Sequence, residues 1–151
     1  MCRSRSSGAM YDLASHTVRY YVVAVGKARP PYADDLSHYG KLLSRHARVD
    51  VIEVADDDAL ARRIPERAFV CLLDAGGRTM SSEVFAEWVE ERRQGGRDVA
   101  FVIGGPFGTS VTGDFSLSLG PMTLPHLLAR VVLLEQLFRA HKILAGEPYH
   151  H

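Results

Sequence analysis

From Thr17 onward the chain passes through a regular succession of apolar patterns whose period switches between that of a strand and that of a helix. "VRYYVVAVG" (18–26) is a β-branched and aromatic run stopped by Gly26, which predicts a strand. "YADDLSHYGKLLSRH" (32–46) sets Leu36, Tyr39, Leu42 and Leu43 at helical spacing behind Pro30-Pro31, which predicts a helix. "RVDVIEV" (48–54) alternates apolar and polar positions as a strand does, and "DDDALARRIP" (56–65) leaves room only for a short helix before Pro65. "AFVCLLD" (68–74) and "DVAFVIGG" (98–105) are apolar almost throughout, the pattern of parallel strands covered on both faces. Between them, "SSEVFAEWVEERRQGG" (81–96) opens on a serine cap and has Glu83 in its first turn. It repeats Val84, Phe85, Trp88 and Val89 at helical spacing and stops at glycine. "FSLSL" (115–119) reads as a short strand, and a final helix runs from about Pro125 to Ala145. Strands and helices in this alternation predict an α/β fold with a mostly parallel sheet flanked by helices. No internal repeat or linker interrupts it, so residues 17–151 read as one domain.

Composition narrows the class without naming a function. A 151-residue chain is long enough for one core, and 46% apolar with 24% charged residues is ordinary for a soluble globular protein. Eighteen basic residues balance eighteen acidic ones, so any nucleic-acid contact has to come from a local patch. Cys71 lies inside a buried-strand pattern, where it acts as a small hydrophobe, and Cys2 is unrelated to it; this usage fits a reducing cytoplasm. No apolar run approaches the roughly 18 residues of a membrane span. "MCRSRSSGAMYDLASH" is basic but lacks the apolar stretch of a secretory signal. Residues 1–16 therefore read as an extension outside the fold, either disordered or an overlong start with Met10 as the true initiator.

Three segments carry the candidate chemistry, because open parallel sheets bind ligands at the carboxyl ends of their strands. "LLDAGG" (72–77), "VIGGPFG" (102–108) and "LSLGPMTLP" (117–125) each follow a strand and turn through glycine or proline. Together they suit a pocket lined by main-chain groups, of the kind that takes a neutral adenine and ribose; singly, each is a tight turn. "GGPFG" is neither a P-loop, for want of the Lys-Ser/Thr pair, nor a dinucleotide fingerprint, because the spacing is wrong. The histidines show no metal-ligand spacing, so no metal is expected, and no serine stands in a nucleophile elbow. Asp56-Asp57-Asp58 reads as a solvated helix start favoured by the helix dipole.

"VIGGPFG", "MTLPHLLARVVLLEQLFRAHKI" and "GEPYHH", with "VVAVGK" (22–27) and Leu73-Asp74, resemble the SPOUT-class methyltransferases of the ribosomal large subunit methyltransferase H type. The resemblance covers about residues 18–151. Its composite pattern is specific, although each part alone is not. It implies a C-terminal deep trefoil knot, a rare exception to unknotted topology. It implies S-adenosyl-L-methionine bound by Leu73 and Asp74, by Gly104 and Gly105, and by the run Gly120-Pro121-Met122-Thr123-Leu124-Pro125-His126. It implies a homodimer packed on the last helix, whose stripe of Leu127, Val131, Leu134, Leu137 and Phe138 would be dimer and knot core. The reaction implied is methylation of a large-subunit rRNA pseudouridine at N3. Tyr149 or His150 would help remove the imide proton, and Arg130 or Arg139 would steady the charge that develops on the ring oxygens. The plain reading of both arginines is a structural ion pair, for instance Arg139 with Glu135.

Departures from the family pattern bear on the acceptor. The segment between Val54 and Phe69 is shorter than the family's and acidic at its start, and the stretch between Gly105 and Pro125 is a few residues short. His151 stands where the family has a cation. Each change reduces the positive surface that rRNA phosphates would meet. A diverged enzyme acting on a small nucleoside-like or heterocyclic acceptor is therefore the alternative expectation, and a non-catalytic binder the weaker one.

Overall fold

A computed structural model describes residues 18–149. The elements in chain order are β1 (Arg19–Val25), α1 (Tyr32–Ser44), β2 (Arg48–Val54), α2 (Asp57–Arg63), β3 (Phe69–Arg78), α3 (Ser82–Gly95), β4 (Val99–Ile103), β5 (Phe115–Leu117) and α4 (His126–Leu144). The extension at residues 1–16 and the tail residues His150 and His151 lie outside the described residues.

Among the described residues the five strands form one sheet in the order β2-β1-β4-β3-β5, with every pairing parallel. The central pair explains the apolar runs. All five residues of β4 are buried, as are Tyr20, Val22, Val23 and Ala24 of β1, because helices cover both faces there. Local signals set the helix ends, the Ser81 cap as expected and the Asp56 cap in addition. Ser81 caps α3 by accepting the Val84 amide at 3.1 Å, and Asp56 caps α2 by accepting that of Ala59 at 2.9 Å.

The two faces are unequally covered. On one, α1, α3 and α4 bury a large core in which Tyr20, Val22 and Phe101 of the sheet meet Leu43, Trp88 and Leu137 of the helices. On the other, the short α2 contributes Leu60 to a smaller cluster with Val23, Val54 and Val102. α4 packs against both α1 and α3, so its apolar stripe is used inside the chain. Leu127, Leu134, Leu137 and Phe138 are buried there, and Val131 is half-buried. Cys71 is a free, buried thiol whose pKa burial pushes up to about 12, which leaves it unreactive.

One expectation changes. The segment 72–77 reads as a loop after a strand ending at Asp74, yet β3 runs on to Arg78. Leu73 and Arg78 both pair with Leu117, so residues 74–77 form a bulge inside the strand. The glycines that read as a turn are the bulge, and β5 pairs on either side of it.

Candidate active site

The bulge of β3, the loop after β4 and the segment entering α4 meet at the carboxyl end of the sheet. They enclose a cleft of about 790 Å³. Leu73 and Asp74 line it from the bulge, Gly104 and Gly105 from the end of β4. Gly120, Met122, Thr123, Leu124, Pro125 and His126 close it from the last segment. Of the residues expected at a cofactor site, Pro121 alone is not in the lining.

Backbone geometry makes the cleft. A Cβ on Gly104 would stand 2.7 Å from the carbonyl oxygen of Gly108, so only glycine lets the loop fold back on itself there. Gly105 and Gly108 then pair across this turn as an isolated antiparallel bridge, and Gly120 holds φ at +132° on the opposite lip. Asp74 accepts the Gly76 amide at 3.1 Å, which fixes the carboxylate on the bulge. Phe107 and Met122 are almost wholly exposed at the rim.

Two residues to which the sequence assigns no part in the site, Ser118 and Asp57, hold these walls in place. The Ser118 hydroxyl is buried 3.0 Å from the carbonyl oxygens of both Ala75 and Gly120, and it accepts the Gly120 amide at 3.0 Å. It therefore joins the β3 bulge to the last segment. The polar alternation of "FSLSL" was the only available signal, and it reads no further than a short strand. Asp57, the first residue of α2, clamps the other loop. One carboxylate oxygen accepts from the Thr109 hydroxyl. The other accepts from the Ser110 amide at 2.9 Å and the Ser110 hydroxyl at 2.6 Å. The Ser110 and Thr109 hydrogen bonds hold this carboxyl below its ordinary pKa. The acidic start of α2 thus has a partner more than fifty residues away, which a local reading cannot reveal.

The described residues expected to be catalytic, Arg130, Arg139 and Tyr149, fall into two groups, neither of which lines the cleft. Arg130 is fully buried, with one guanidinium nitrogen 2.8 Å from Glu53 and another 3.1 Å from the Gly26 carbonyl. Arg139 and Tyr149 gather on Glu135 in the middle of α4. Arg139 pairs with that carboxylate at 2.6 Å, and the Tyr149 hydroxyl donates to the same oxygen at 2.9 Å. The Arg139 guanidinium also lies over the Tyr149 ring, 4.4 Å from its centroid. Burial, then the Glu135 carboxylate, raises the Tyr149 phenol to about 12. A phenol held there is a hydrogen-bond donor at neutral pH and a poor base. Glu135, read beforehand only as an ion-pair partner, is the hub of this group. His150 lies outside the described residues.

Comparison with known proteins places this arrangement. A family model described as a predicted SPOUT methyltransferase matches residues 18–150. The chain is 40% identical to the ribosomal RNA large subunit methyltransferase H of Carboxydothermus hydrogenoformans, over 85% of this chain and 97% of that one. It is 38% identical to the protein of that name from Acetivibrio thermocellus, over 88% and 99%. It is 41% identical to the one from an Anaeromyxobacter species, again over 88% and 99%. A match that spans all but the first residues, on a parallel sheet with a glycine-walled cleft at its carboxyl end, means that the chain belongs to the SPOUT methyltransferase family and is a methyltransferase.

Proposed function

We propose that the chain is an S-adenosyl-L-methionine-dependent N-methyltransferase whose acceptor is large-subunit rRNA, at N3 of a pseudouridine. The observation that carries the donor assignment is the cleft. Its volume of about 790 Å³ suits a nucleoside-sized ligand, and its lining comes from three glycine- and proline-rich segments with Asp74 as its one carboxylate among the described residues. Leu73, Gly104, Gly105 and the run from Gly120 to His126 would hold the adenosine, and the Asp74 carboxylate would accept from a hydroxyl or ammonium of the donor. S-adenosyl-L-methionine, when bound, supplies an electrophilic methyl on a sulfonium. The rRNA acceptor is favoured over a small heterocycle because relatives at about this identity, matched over nearly their whole length, carry the rRNA name.

The chain's own contribution is positioning and proton removal. A pseudouridine N3–H is only weakly acidic, so a base helps, and negative charge spreads to the ring oxygens as the proton leaves. We assign the base to His150. Tyr149 is assigned a donor role, consistent with its raised pKa, and Arg139 the steadying of charge. Arg130 acts at a distance through the loop that it holds.

Because the Tyr149 group does not line its own chain's cleft, the working unit we propose is a homodimer in which each tail serves the partner's cleft. The α4 stripe, which is used internally, does not carry this reading. The carboxyl half, with its loops at Leu73-Asp74, Gly104-Gly105 and Gly120 to Pro125, is proposed to form the deep trefoil knot, residues 17–151 to be one domain, and the site of action to be the cytoplasm, where ribosomes are found. Among the described residues no helix is long and apolar enough to cross a membrane. Incubation with labelled donor and, separately, ribosomes and small heterocycles tests the function, with label expected in rRNA alone. Sedimentation at micromolar concentration tests the dimer, with a monomer as the contrary result.

A further inference from the structure

A second hollow, of about 390 Å³, adjoins the cleft and shares Pro125 and His126 with it. Its other wall is Arg29 and Pro30 of the β1–α1 connection with Tyr32, the first residue of α1. That connection is held unusually firmly for a surface loop. The Arg130–Glu53 ion pair is directed at it: Arg130 donates to the Gly26 carbonyl at 3.1 Å, and Glu53 accepts the Ala28 amide at 2.7 Å. The Arg29 carbonyl accepts the amides of Tyr32 at 3.0 Å and Ala33 at 3.1 Å, which fixes the loop to the start of α1. Gly26, at φ +100°, lets the His126 ring approach: a Cβ there would stand 3.2 Å from its Cε1. The buried Nδ1 of His126 has no hydrogen-bond partner among the described residues.

Burying an arginine is costly, and this one ties α4 to Glu53 of β2 and, through the Gly26 carbonyl, to the β1–α1 loop. Lys27 and Arg29, the two cations of that loop, are exposed and have no carboxylate partner among the described residues. An exposed cation on a held backbone, beside an aromatic side chain and a hollow adjoining the cleft, suits one flank of a single-stranded nucleic acid.

We propose that this hollow is the subsite for the nucleotide next to the target on the acceptor RNA. Arg29 pairs with its phosphodiester, Tyr32 packs against its sugar or base, and His126 marks the passage to the cleft. Arg130 and Glu53 are positioning residues that fix the loop. The inference rests on the rRNA reading and adds where the strand lies.

The test is Arg29→Ala, with Arg29→Lys as the conservative variant, in methyl transfer to large ribosomal subunits over a range of salt concentrations. Calorimetric affinity for S-adenosylhomocysteine serves as the control for fold and cleft. For Arg29→Ala the expected result is unchanged S-adenosylhomocysteine affinity and a KM for subunits raised about tenfold with kcat nearly kept. The logarithmic salt dependence of binding should be shallower by about one unit, and Arg29→Lys should recover most of the slope. Wild-type KM and salt slope in Arg29→Ala, while the wild-type enzyme methylates subunits, would overturn the subsite alone. Failure of the wild-type enzyme to methylate subunits would remove the rRNA reading and the subsite with it.

Discussion

The Tyr149 hydroxyl donates a 2.9 Å hydrogen bond to the Glu135 carboxylate oxygen that Arg139 also engages, so the last described residue of the chain is tied back to the middle of α4. The Phe138 and Tyr149 rings meet edge to face, with centroids 5.1 Å apart. The tail therefore leaves the helix in a fixed direction and carries its aromatic group with it.

Deleting residues 149–151 is expected to cut methyl transfer by at least about a hundredfold, the lower range for loss of a positioned base. S-adenosylhomocysteine affinity and sedimentation behaviour should be preserved. Tyr149→Phe keeps the ring packing and should cost about 1 kcal/mol of stability or less. Transfer by the truncated enzyme at the wild-type rate would move the base to His126 or to water.

Gly104→Ala should fold but bind the donor at least about tenfold more weakly, since overpacking by one methyl costs roughly 1–3 kcal/mol. The reason is the 2.7 Å approach of the new Cβ to the Gly108 carbonyl oxygen, which would open the turn that walls the cleft. Circular dichroism checks the fold, and calorimetry with S-adenosylhomocysteine checks the cleft.

Asp57→Ala should weaken donor binding by about threefold to tenfold, the range expected for one or two hydrogen bonds. Its carboxylate accepts from both Thr109 and Ser110, and Thr109 lines the cleft. Asp57→Asn keeps an acceptor and should fall between. Unchanged affinity in Asp57→Ala would show that the loop holds its shape unaided.

Burial, then the nearby Arg93 and His46, lowers His141 from 6.5 to about 4, and its Nε2 lies 2.7 Å from the Tyr20 hydroxyl. A histidine that resists protonation only when folded stabilises fully above its unfolded pKa. That contribution is lost as pH falls from about 6.5 towards 4, where the folded group also titrates. Urea unfolding should show a loss on the order of 2–3 kcal/mol across this window. His141→Gln should flatten the slope there; a slope unchanged in that variant would assign it to other groups.

The fold was legible where local pattern decides it. The apolar runs of β1, β3 and β4, the Ser81 cap and the glycine stop of α3 lie within a few residues of where the structure has them. The end of β3 was not legible, because a bulge and a turn use the same glycines and only β5, some forty residues on, distinguishes them. Most residues of the cleft could be named from the three glycine and proline segments and the family resemblance. What holds the cleft and the loop beside it could not, since Asp57 with Ser110 and Ser118 with Ala75 at the cleft, and Arg130 with Glu53 at the β1–α1 loop, are pairs distant in sequence. The stripe on α4 has a spacing that fits a core as well as a dimer, and its packing between α1 and α3 assigns most of it to the core.

The most direct test of the central claim is methyl transfer from labelled S-adenosyl-L-methionine to purified large ribosomal subunits, followed by nuclease digestion and mass analysis of the rRNA. The account predicts label in large-subunit rRNA at a single pseudouridine, methylated at N3, and none without enzyme. Enzyme that binds the donor yet leaves large-subunit rRNA unlabelled would contradict it.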